Sequence, residues 1–470
     1  MSNVEVSPGK DDPNKSVLRL PAMGRALAHR NFRLFVVGQG ISVLGTWMQQ
    51  IATVWLVYRL SQSSLLLGVT DFAAQIPAAL LLPLAGVLTD RWNRHRTVLA
   101  AQSLMMVQAF ALMTLTVTGM ISVWQILVLS AFLGVVSALD ATARQSFVIE
   151  MVNRRDLGNA IALNSSVFNA ARLMGPAVAG IVIALCGEWP CFLLNGLSYL
   201  AVLASLLLMR VQPAARRAAD AGIVEGLSEG IRYVVHSMPI RTILGLLGIV
   251  SMMSAPLTVL MPLLATQVLH GGPYTLGMLT AALGGGALAG SLFLAARKSV
   301  IGLGRVIAVA TAAFGLGLAG LSASHSLGLS LVLMVATGFA MVAEMAASNA
   351  VLQTIVEEEK RGRVMSFYTM AFFGMGPLGS LLAGALAGTI GILPTFLTFG
   401  AICLTASLVF ATLLPELQRT IRPMYVRAGI LRETIDALPA GESALAPATP
   451  HFLPLPLPAP QAVSRQRAAA

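Results

Sequence analysis

Apolar runs of about 20 residues follow one another along most of the chain, with short polar connections between them. About 20 apolar residues, each adding about 1.5 Å of helix, cross the ~30 Å hydrocarbon core of a bilayer. Because backbone polar groups in lipid must be satisfied within the segment, such runs are restricted to membrane-spanning helices. The runs lie near residues 33–58, 65–89, 97–119, 123–145, 159–185, 190–210, 242–268, 274–296, 304–323, 327–350, 364–390 and 393–414.

These twelve runs form two sets of six with a polar interval between them. They predict an all-α membrane protein built as two pseudo-symmetric bundles of six helices. Only 11% of the residues are charged, whereas soluble domains carry about 25%. The predicted parts are an N-terminal segment (1–32), the two bundles (33–210 and 242–415), a central loop (211–241) and a C-terminal tail (416–470).

The central loop and the tail differ in pattern. In the loop, Ile223, Leu227, Ile231 and Val234 recur at helical spacing, which predicts an amphipathic helix on the membrane surface. The tail contains the sequence LPLPLPAPQ, and its proline content predicts an extended, disordered end.

Lysine and arginine are concentrated on every second connection, and Arg59 is the exception. Because cytoplasmic loops carry an excess of basic residues, this bias places both termini in the cytoplasm. The net charge of +11 then reflects topology and contact with anionic membrane lipids, and no basic patch interleaved with aromatic residues suggests nucleic-acid binding. The basic positions that repeat on one side are Lys10, Lys15, Arg19, Arg25, Arg30, Arg91, Arg94, Arg96, Arg154, Arg155, Arg216, Arg217, Arg232, Arg241, Arg297, Lys298, Arg305, Lys360, Arg361 and Arg363.

Several kinds of chemistry are missing from the sequence. All six histidines fall in loops, tails or span ends, so no metal or haem site is expected within the membrane. No Gly-Lys-Ser/Thr phosphate-binding loop occurs, which argues against an ATP-driven pump. We therefore expect no enzyme activity and no cofactor. Cys186 and Cys191 bracket the short loop CGEWPC, where either a disulfide or two separate thiols fit the sequence.

The two sets of spans repeat one another. A shift of 204 residues places Gly86 on Gly290, Asp140 on Glu344 and Pro190 on Pro394, and a shift of 201 places LMGPAVAG on GMGPLGSL. Isolated matches arise by chance in Gly- and Ala-rich helices, but these recur in the same order near the same helix ends. Parallel six-helix repeats are one design for a transporter that holds its substrate between the halves.

The connection between spans two and three reads GVLTDRWNRHR, and it resembles the loop motif of the major facilitator superfamily. Gly86, Asp90, Arg91 and Arg94 match the motif, while Asn93 and His95 depart from it. The resemblance extends to about Leu417. It implies the major facilitator fold, a monomer, and a place in the bacterial inner membrane.

On span five, ARLMGPAVAG is similar to the Gly-Pro motif of exporters in this superfamily, with Gly175, Pro176 and Gly180 in place. Gly376 and Pro377 stand at the matching place in the second half. Proline removes a helix hydrogen bond and glycine permits close approach, so these residues predict kinked, tightly packed helices. A packing motif without directional meaning is the alternative.

Together with DATARQSF and FLLNGLSYL, these motifs look most like the branch of enterobactin-type siderophore exporters and related drug efflux proteins. The resemblance implies export of a small amphipathic molecule, a siderophore or a drug, by alternating access in exchange for protons. Nutrient uptake or lysophospholipid translocation by the same fold is the alternative. A scaffold or sensor without transport is a third reading.

Family geometry places Asp90 near the N-terminus of span eleven, where free amides stabilise an anion. Arg94 is then expected to reach Asp140, and Arg144 lies one helical turn from Asp140. Glu344 mirrors Asp140 in the second half. These residues, with Gly86 and Arg91, form the predicted conformational gate; a set of solvated basic anchors is the alternative.

Coupling to protons needs a group that changes charge inside the membrane. Asp71 lies about 10 Å from the outer end of span two and Arg172 near the middle of span five. The two could pair if the arginine reaches outward, although spans two and five need not touch. Asp71 is the predicted proton carrier, or else a structural or substrate-contacting acid.

The substrate cavity is expected between the halves, since the family lines it with spans one, four, seven and ten beside span five. Methionine adapts its shape and aromatic rings stack, so the candidates suit bulky amphipathic solutes, although each could also face lipid or pack against a helix. The candidates are Gln39, Trp47, Gln50, Asn164, Phe168, Asn169, Met252, Met253 and Thr258.

Overall fold

The computed structural model describes residues 22–153, 156–209, 231–297 and 299–427. These residues form twelve long helices, preceded by a short 3₁₀ helix at Ala22–Ala28. The helices are α1 Arg30–Ser61, α2 Ser64–Arg91, α3 Arg94–Val117, α4 Val123–Met151, α5 Leu157–Cys186, α6 Trp189–Leu208, α7 Met238–Met253, α8 Pro273–Ala295, α9 Leu303–Ser322, α10 Leu327–Ile355, α11 Glu358–Ile390 and α12 Ile392–Arg427.

Eleven spans among the described residues are long and apolar enough to cross a membrane. The helix that falls short is α1, which is 32 residues long but contains Gln39, Gln49 and Gln50. Gln49 is 4% exposed and is bonded to Gln108 at 2.9 Å and Asn195 at 2.8 Å. Because the buried Gln49 amide is hydrogen-bonded inside the bundle, it does not prevent α1 from crossing a membrane. The all-α fold predicted from twelve runs is confirmed.

Span seven is broken, although the sequence predicted a continuous run over 242–268. After α7 ends at Met253, the chain makes short helical turns at Pro256–Val259 and Met261–Leu263 and a π-helical turn at Leu264–Val268. Pro256 and Pro262 cannot donate backbone hydrogen bonds, so the regular helix stops there. The break turns a stretch of span seven into an irregular wall between the halves.

Helix α12 is longer than predicted. The bundle was expected to end near residue 415, but the helix continues to Arg427 with Pro415 and Pro423 inside it. Of the predicted amphipathic helix in the central loop, residues 231–236 are helical and the rest lies outside the described residues. The predicted tail beyond residue 427 is outside them as well.

Helix contacts repeat between the two halves. In the first half α1 packs on α5 and α6, α3 on α4 and α6, and α2 on α4. In the second half α7 packs on α11 and α12, α9 on α10 and α12, and α8 on α10. Two extensive contacts join the halves: α2 packs on α11, and α5 packs on α8. We call these two contacts the seams, and the repeat relates one seam to the other. The two bundles are therefore pseudo-symmetric, as predicted.

We name the two ends of the bundle by the chain. The terminal side holds Arg30, where α1 begins, and Arg427, where α12 ends; the far side holds residues 62–63 and 187–188, which connect α1 to α2 and α5 to α6. The two predicted half-cystine candidates lie at the far side. Cys186 is exposed, Cys191 is buried, and both are free thiols.

Glycines bring the seam helices together on the far side. A Cβ added at Gly180 would lie 2.9 Å from Gly277 Cα, and one at Gly68 would lie 3.2 Å from Gly384 Cα. Only glycine permits this approach. Gly180 and Gly384 are related by 384 − 180 = 204, so the packing follows the shift of 204 and not the shift of 201 suggested by the Gly-Pro letters.

Candidate transport site

A cavity of about 120 Å³ lies between the halves, beneath the far-side seams. The α1, α5 and α8 helices and the broken part of span seven supply its walls. Most of the lining is apolar, with an indole, an amide, two hydroxyls and one guanidinium among it. The lining residues are Trp47, Gln50, Ile51, Val54, Arg172, Leu257, Thr258, Met261, Leu276, Thr280 and Leu283.

Two aromatic rings and a cation form one corner of the cavity. The guanidinium carbon of Arg172 lies 5.7 Å from the centre of the Trp47 ring, and Phe168 packs edge-on against the same ring at 5.9 Å. Gly175 permits this because a Cβ there would lie 2.5 Å from Trp47 Cβ. The close approach of α1 and α5 thus holds the indole beneath the cation.

Towards the terminal side, the face of α5 that carries Arg172 continues through Phe168, Ser165 and Ile161 at helical spacing. Phe168 is 48% exposed and Ile161 is 54% exposed, and Ser165 is exposed as well. On the far side, by contrast, the seams pack backbone against backbone. The cavity is therefore closed above by the seams, and below it the same face of α5 is exposed.

The predicted cavity residues divide into three groups. Trp47, Gln50 and Thr258 line the cavity, and Phe168 contacts Trp47. The amides of Asn164 and Asn169 are partly exposed on the terminal-side part of α5, where Asn169 donates to the Ser165 carbonyl at 2.9 Å.

The other three predicted lining residues serve packing instead. Gln39 is 5% exposed and Met253 is 3% exposed, so both side chains are buried inside the helix bundle. Met252 is partly buried and packs against the hydrophobic core.

Sequence reasoning missed most of the lining on span seven and all of it on α8. The available signals were Pro256 and Pro262, which mark the break, and the pair Gly277 and Gly284, which face α5. Thr280 lies between those glycines on the same helical face, so it enters the cavity.

Asp71 and Arg172 do not pair in this structure, because they belong to different seams. Asp71 lies in the α2/α11 seam, where its Oδ2 accepts hydrogen bonds from Ser380 Oγ at 2.5 Å and Gln75 Nε2 at 2.5 Å. Arg172 lies in the α5/α8 seam, where its carbonyl is 2.8 Å from a Cβ added at Gly284. Instead of a pair, the structure therefore has an acid that bridges the halves and a separate cation.

The predicted gate acids have different surroundings in the two halves. Asp140 is 2% exposed. It accepts a hydrogen bond from Gln102 at 2.8 Å and forms an ion pair with Arg144 at 2.9 Å. Glu344 is fully buried, accepts a hydrogen bond from Ser348 at 2.9 Å, and has a second oxygen with no partner. Since 348 − 204 = 144, a serine stands where the first half has its arginine.

The remaining gate residues surround the α2–α3 connection. The surroundings of Gly86 and the side chains of Asp90 and Arg91 lie outside the described part of the structure. Arg94 begins α3, whose first turn is capped by the Asn93 side chain accepting from the Arg96 amide at 3.1 Å. Asparagine is a favoured N-cap residue, so its place in the motif has a local structural reason.

Pro176 and Pro377 lie inside α5 and α11, as the Gly-Pro motif predicts. Their neighbours are not equivalent: Gly175 and Gly180 are in close contacts, whereas a Cβ at Gly376 would find its nearest neighbour at 3.7 Å. On α11 the close contacts are made by Gly379 and Gly384 instead.

Among the described residues no cluster of His, Cys, Asp and Glu is placed to hold a metal ion.

Solved structures share this fold. The nucleoside transporter NupG superposes with a TM-score of 0.67 and 12% identity, over 83% of this chain and 99% of that protein. A bacterial homologue of the lysosomal transporter Spinster, in an inward-facing and occupied conformation, gives a TM-score of 0.61 and 15% identity over 85% of this chain and 98% of that protein. At this identity the likeness concerns the fold alone.

The relatives with known names are bacterial transport proteins. The chain is 30% identical to the multidrug efflux pump Tap of Mycobacterium tuberculosis over 395 residues, which cover 81% of this chain and 91% of that protein. It is 24% identical to the staphyloferrin A transporter of Staphylococcus aureus over 369 residues, 78% of this chain and 92% of that protein. It is 21% identical to macrolide efflux protein A of Streptococcus pyogenes, over 79% and 93%. Residues 25–425 match the model of one family, and the chain belongs to it: the transmembrane secretion effectors, multi-pass membrane transporters of the major facilitator fold.

Proposed function

We propose that this chain exports amphipathic small molecules across the bacterial inner membrane by alternating access, in exchange for protons. The observation that carries the proposal is the cavity between the halves, closed by the far-side seams, with the exposed face of α5 on its terminal side. The basic connections favour a cytoplasmic terminal side. In this conformation the monomer would accept its substrate from the cytoplasm.

The lining suits amphipathic substrates. Ile51, Val54, Leu257 and Met261 offer apolar contacts, and Trp47 offers a flat ring for stacking. Such mixed pockets bind molecules with an apolar body and a few polar groups. The relatives named for a siderophore, for macrolides and for several drugs agree with a substrate of this class.

Asp71 is the proposed site of proton coupling. Its carboxylate is bonded across the α2/α11 seam to Ser380, and this seam has to part when the cavity opens to the far side. Water would then reach Asp71, and its carboxyl group would exchange a proton with that side. Reclosure of the seam would return the acid to Ser380 and separate it from that side again.

The test is uphill transport by proteoliposomes. Under an imposed pH gradient, Asp71→Asn should abolish accumulation of a fluorescent amphipathic substrate while leaving its binding measurable. Asp156→Asn is a suitable control, because Asp156 contacts His29 at the terminal side, away from the cavity. If Asp71→Asn still accumulates substrate against its gradient, coupling lies elsewhere, and Glu344 is the next acid to replace.

Direction separates the proposal from its alternative. In inside-out membrane vesicles an exporter fills the vesicle with substrate when the lumen is acidified. Uptake, or movement of a lysophospholipid between leaflets, would not give this result. The proposal fails if substrate enters only right-side-out vesicles.

A further inference from the structure

A single charged side chain lines the cavity among the residues that the structure describes. The other ten lining residues are neutral, so Arg172 alone sets the charge of the site. It lies near the middle of α5 and is partly buried. A cation at this depth in a membrane protein is costly and is normally paired or placed against a ligand.

The residues that the structure describes supply no counter-charge to Arg172. Among the described residues, no carboxylate forms an ion pair with Arg172 and no group accepts a hydrogen bond from its guanidinium. The contact with Trp47 is a cation–π contact, which engages the positive charge but gives the N–H groups no acceptor.

Every carboxylate within the membrane part of the described structure is already occupied or lies away from the cavity. Asp140 is paired with Arg144, and Glu188 is paired with Arg59 at 2.7 Å. Asp71 is bonded to Ser380 and Gln75 in the opposite seam. Glu344 is fully buried within the second half and does not line the cavity.

We propose that Arg172 is the binding point for an anionic group of the substrate, so that this transporter takes amphipathic molecules carrying a carboxylate or a related oxyanion. The inference rests on the proposed function and narrows its substrate class. A guanidinium presents a fork of N–H donors that matches two oxygens of such a group. The Thr258 hydroxyl also lines the cavity and supplies a further donor, whereas the Thr280 hydroxyl already donates to the Leu276 carbonyl at 2.9 Å.

The size of the cavity indicates which part of an amphipathic substrate it holds. A volume of about 120 Å³ accommodates a charged headgroup, whereas pockets for whole drug-sized ligands measure roughly 300–1,000 Å³. The apolar body would therefore extend along the exposed stripe of Phe168, Ser165 and Ile161. This places the anion deepest, against Arg172, and the apolar part toward the terminal side.

Binding of two matched probes tests the inference. We would compare 11-(dansylamino)undecanoic acid with its methyl ester on the purified full chain in nanodiscs, following dansyl fluorescence. The native chain should bind the acid about 10- to 100-fold more tightly than the ester, the range for a hydrogen-bonded charge. Arg172→Gln should reduce the affinity for the acid to that for the ester and leave ester binding unchanged.

Two further variants keep the result interpretable. Arg172→Lys should retain part of the preference for the acid, since the charge remains but the fork is lost. Arg59→Gln removes an arginine that is outside the cavity and paired with Glu188, so it should keep the full preference. Retained ester binding by Arg172→Gln shows that this variant is folded.

The outcomes separate the two proposals. If the native chain binds acid and ester equally, or if Arg172→Gln keeps the preference, the assignment of an anionic substrate is overturned while amphipathic export stands. If neither probe binds the native chain, the proposed amphipathic function fails and the assignment fails with it. If chloride at physiological concentration removes the preference completely, Arg172 serves an inorganic anion and the assignment is overturned.

Discussion

Gly180 should control the balance between conformations, because it lies where α5 and α8 touch. A methyl group added there would lie 2.9 Å from both Gly277 Cα and Pro273 O, closer than carbon and oxygen atoms pack. Overpacking of this kind costs about 1–3 kcal/mol. Gly180→Ala should therefore destabilise the state with closed seams and raise the population open to the far side by about 5- to 150-fold.

Cysteine labelling measures this population. In a variant lacking Cys186, Cys191 and Cys403, a cysteine replacing Thr258 reports access to the cavity. A membrane-impermeant maleimide added from the far side should react faster when Gly180→Ala is present, and slower from the terminal side. A second variant with cysteine at Gln62, which is exposed on the far side, identifies that side in the vesicles.

Gly245→Ala is the matched control. Gly245 also lies inside a helix, but a Cβ there has no neighbour within 4 Å, so this change should affect only the backbone, by about 0.5–1 kcal/mol in favour of the helix. Equal labelling rates in Gly180→Ala and Gly245→Ala would refute the reasoning, because the seam would then tolerate the added methyl group.

Three further predictions follow from contacts described above. Asp140→Asn leaves Arg144 without its counter-charge and should lower the free energy of unfolding by about 1–3 kcal/mol in a thermal unfolding assay. Glu344→Gln removes no ion pair and should lower it by less than about 1 kcal/mol. Equal losses would show that the pair is not stabilising. Tyr58→Phe removes the 2.7 Å hydrogen bond to Thr266 between the halves and should increase far-side labelling of the cavity about two- to tenfold; an unchanged rate would exclude that bond from the gate. Asp90→Asn should reduce transport with normal insertion and expression, and transport at the native rate would remove Asp90 from the mechanism.

The helices were predictable because their cause is local. Each run of apolar residues is sufficient to define a span, and predicted and observed limits agree closely for α8, predicted at 274–296 and observed at Pro273–Ala295. The two largest differences, in span seven and at the end of α12, have opposite causes. Pro256 and Pro262 break span seven, whereas Pro415 and Pro423 are accommodated within α12. A proline removes one donor in either case, and the neighbouring packing decides whether the helix continues.

The site was only partly predictable because it depends on which helices meet. Trp47 and Arg172 were recognised as polar or aromatic residues at membrane depth, but their contact depends on the approach of α1 and α5 at Gly175. The sequence gives the depth of Asp71 and Arg172 along their helices and not the seam to which each belongs. For that reason the sequence left open whether the two side chains pair, and in this structure they lie in different seams.

The repetition of helix contacts has a consequence for how such a chain could arise. Six crossings are an even number, so a half that enters the bilayer on one side also leaves it on that side. A tandem duplication of its gene would therefore give a second copy that inserts in the same orientation, with the same basic connections facing the same compartment. An ancestor with an odd number of crossings would have delivered its copy upside down and would have needed its charge bias rewritten. A half duplicated in this way would be oriented correctly from its first appearance, and differences such as Ser348 at the position equivalent to Arg144 would leave that orientation unchanged.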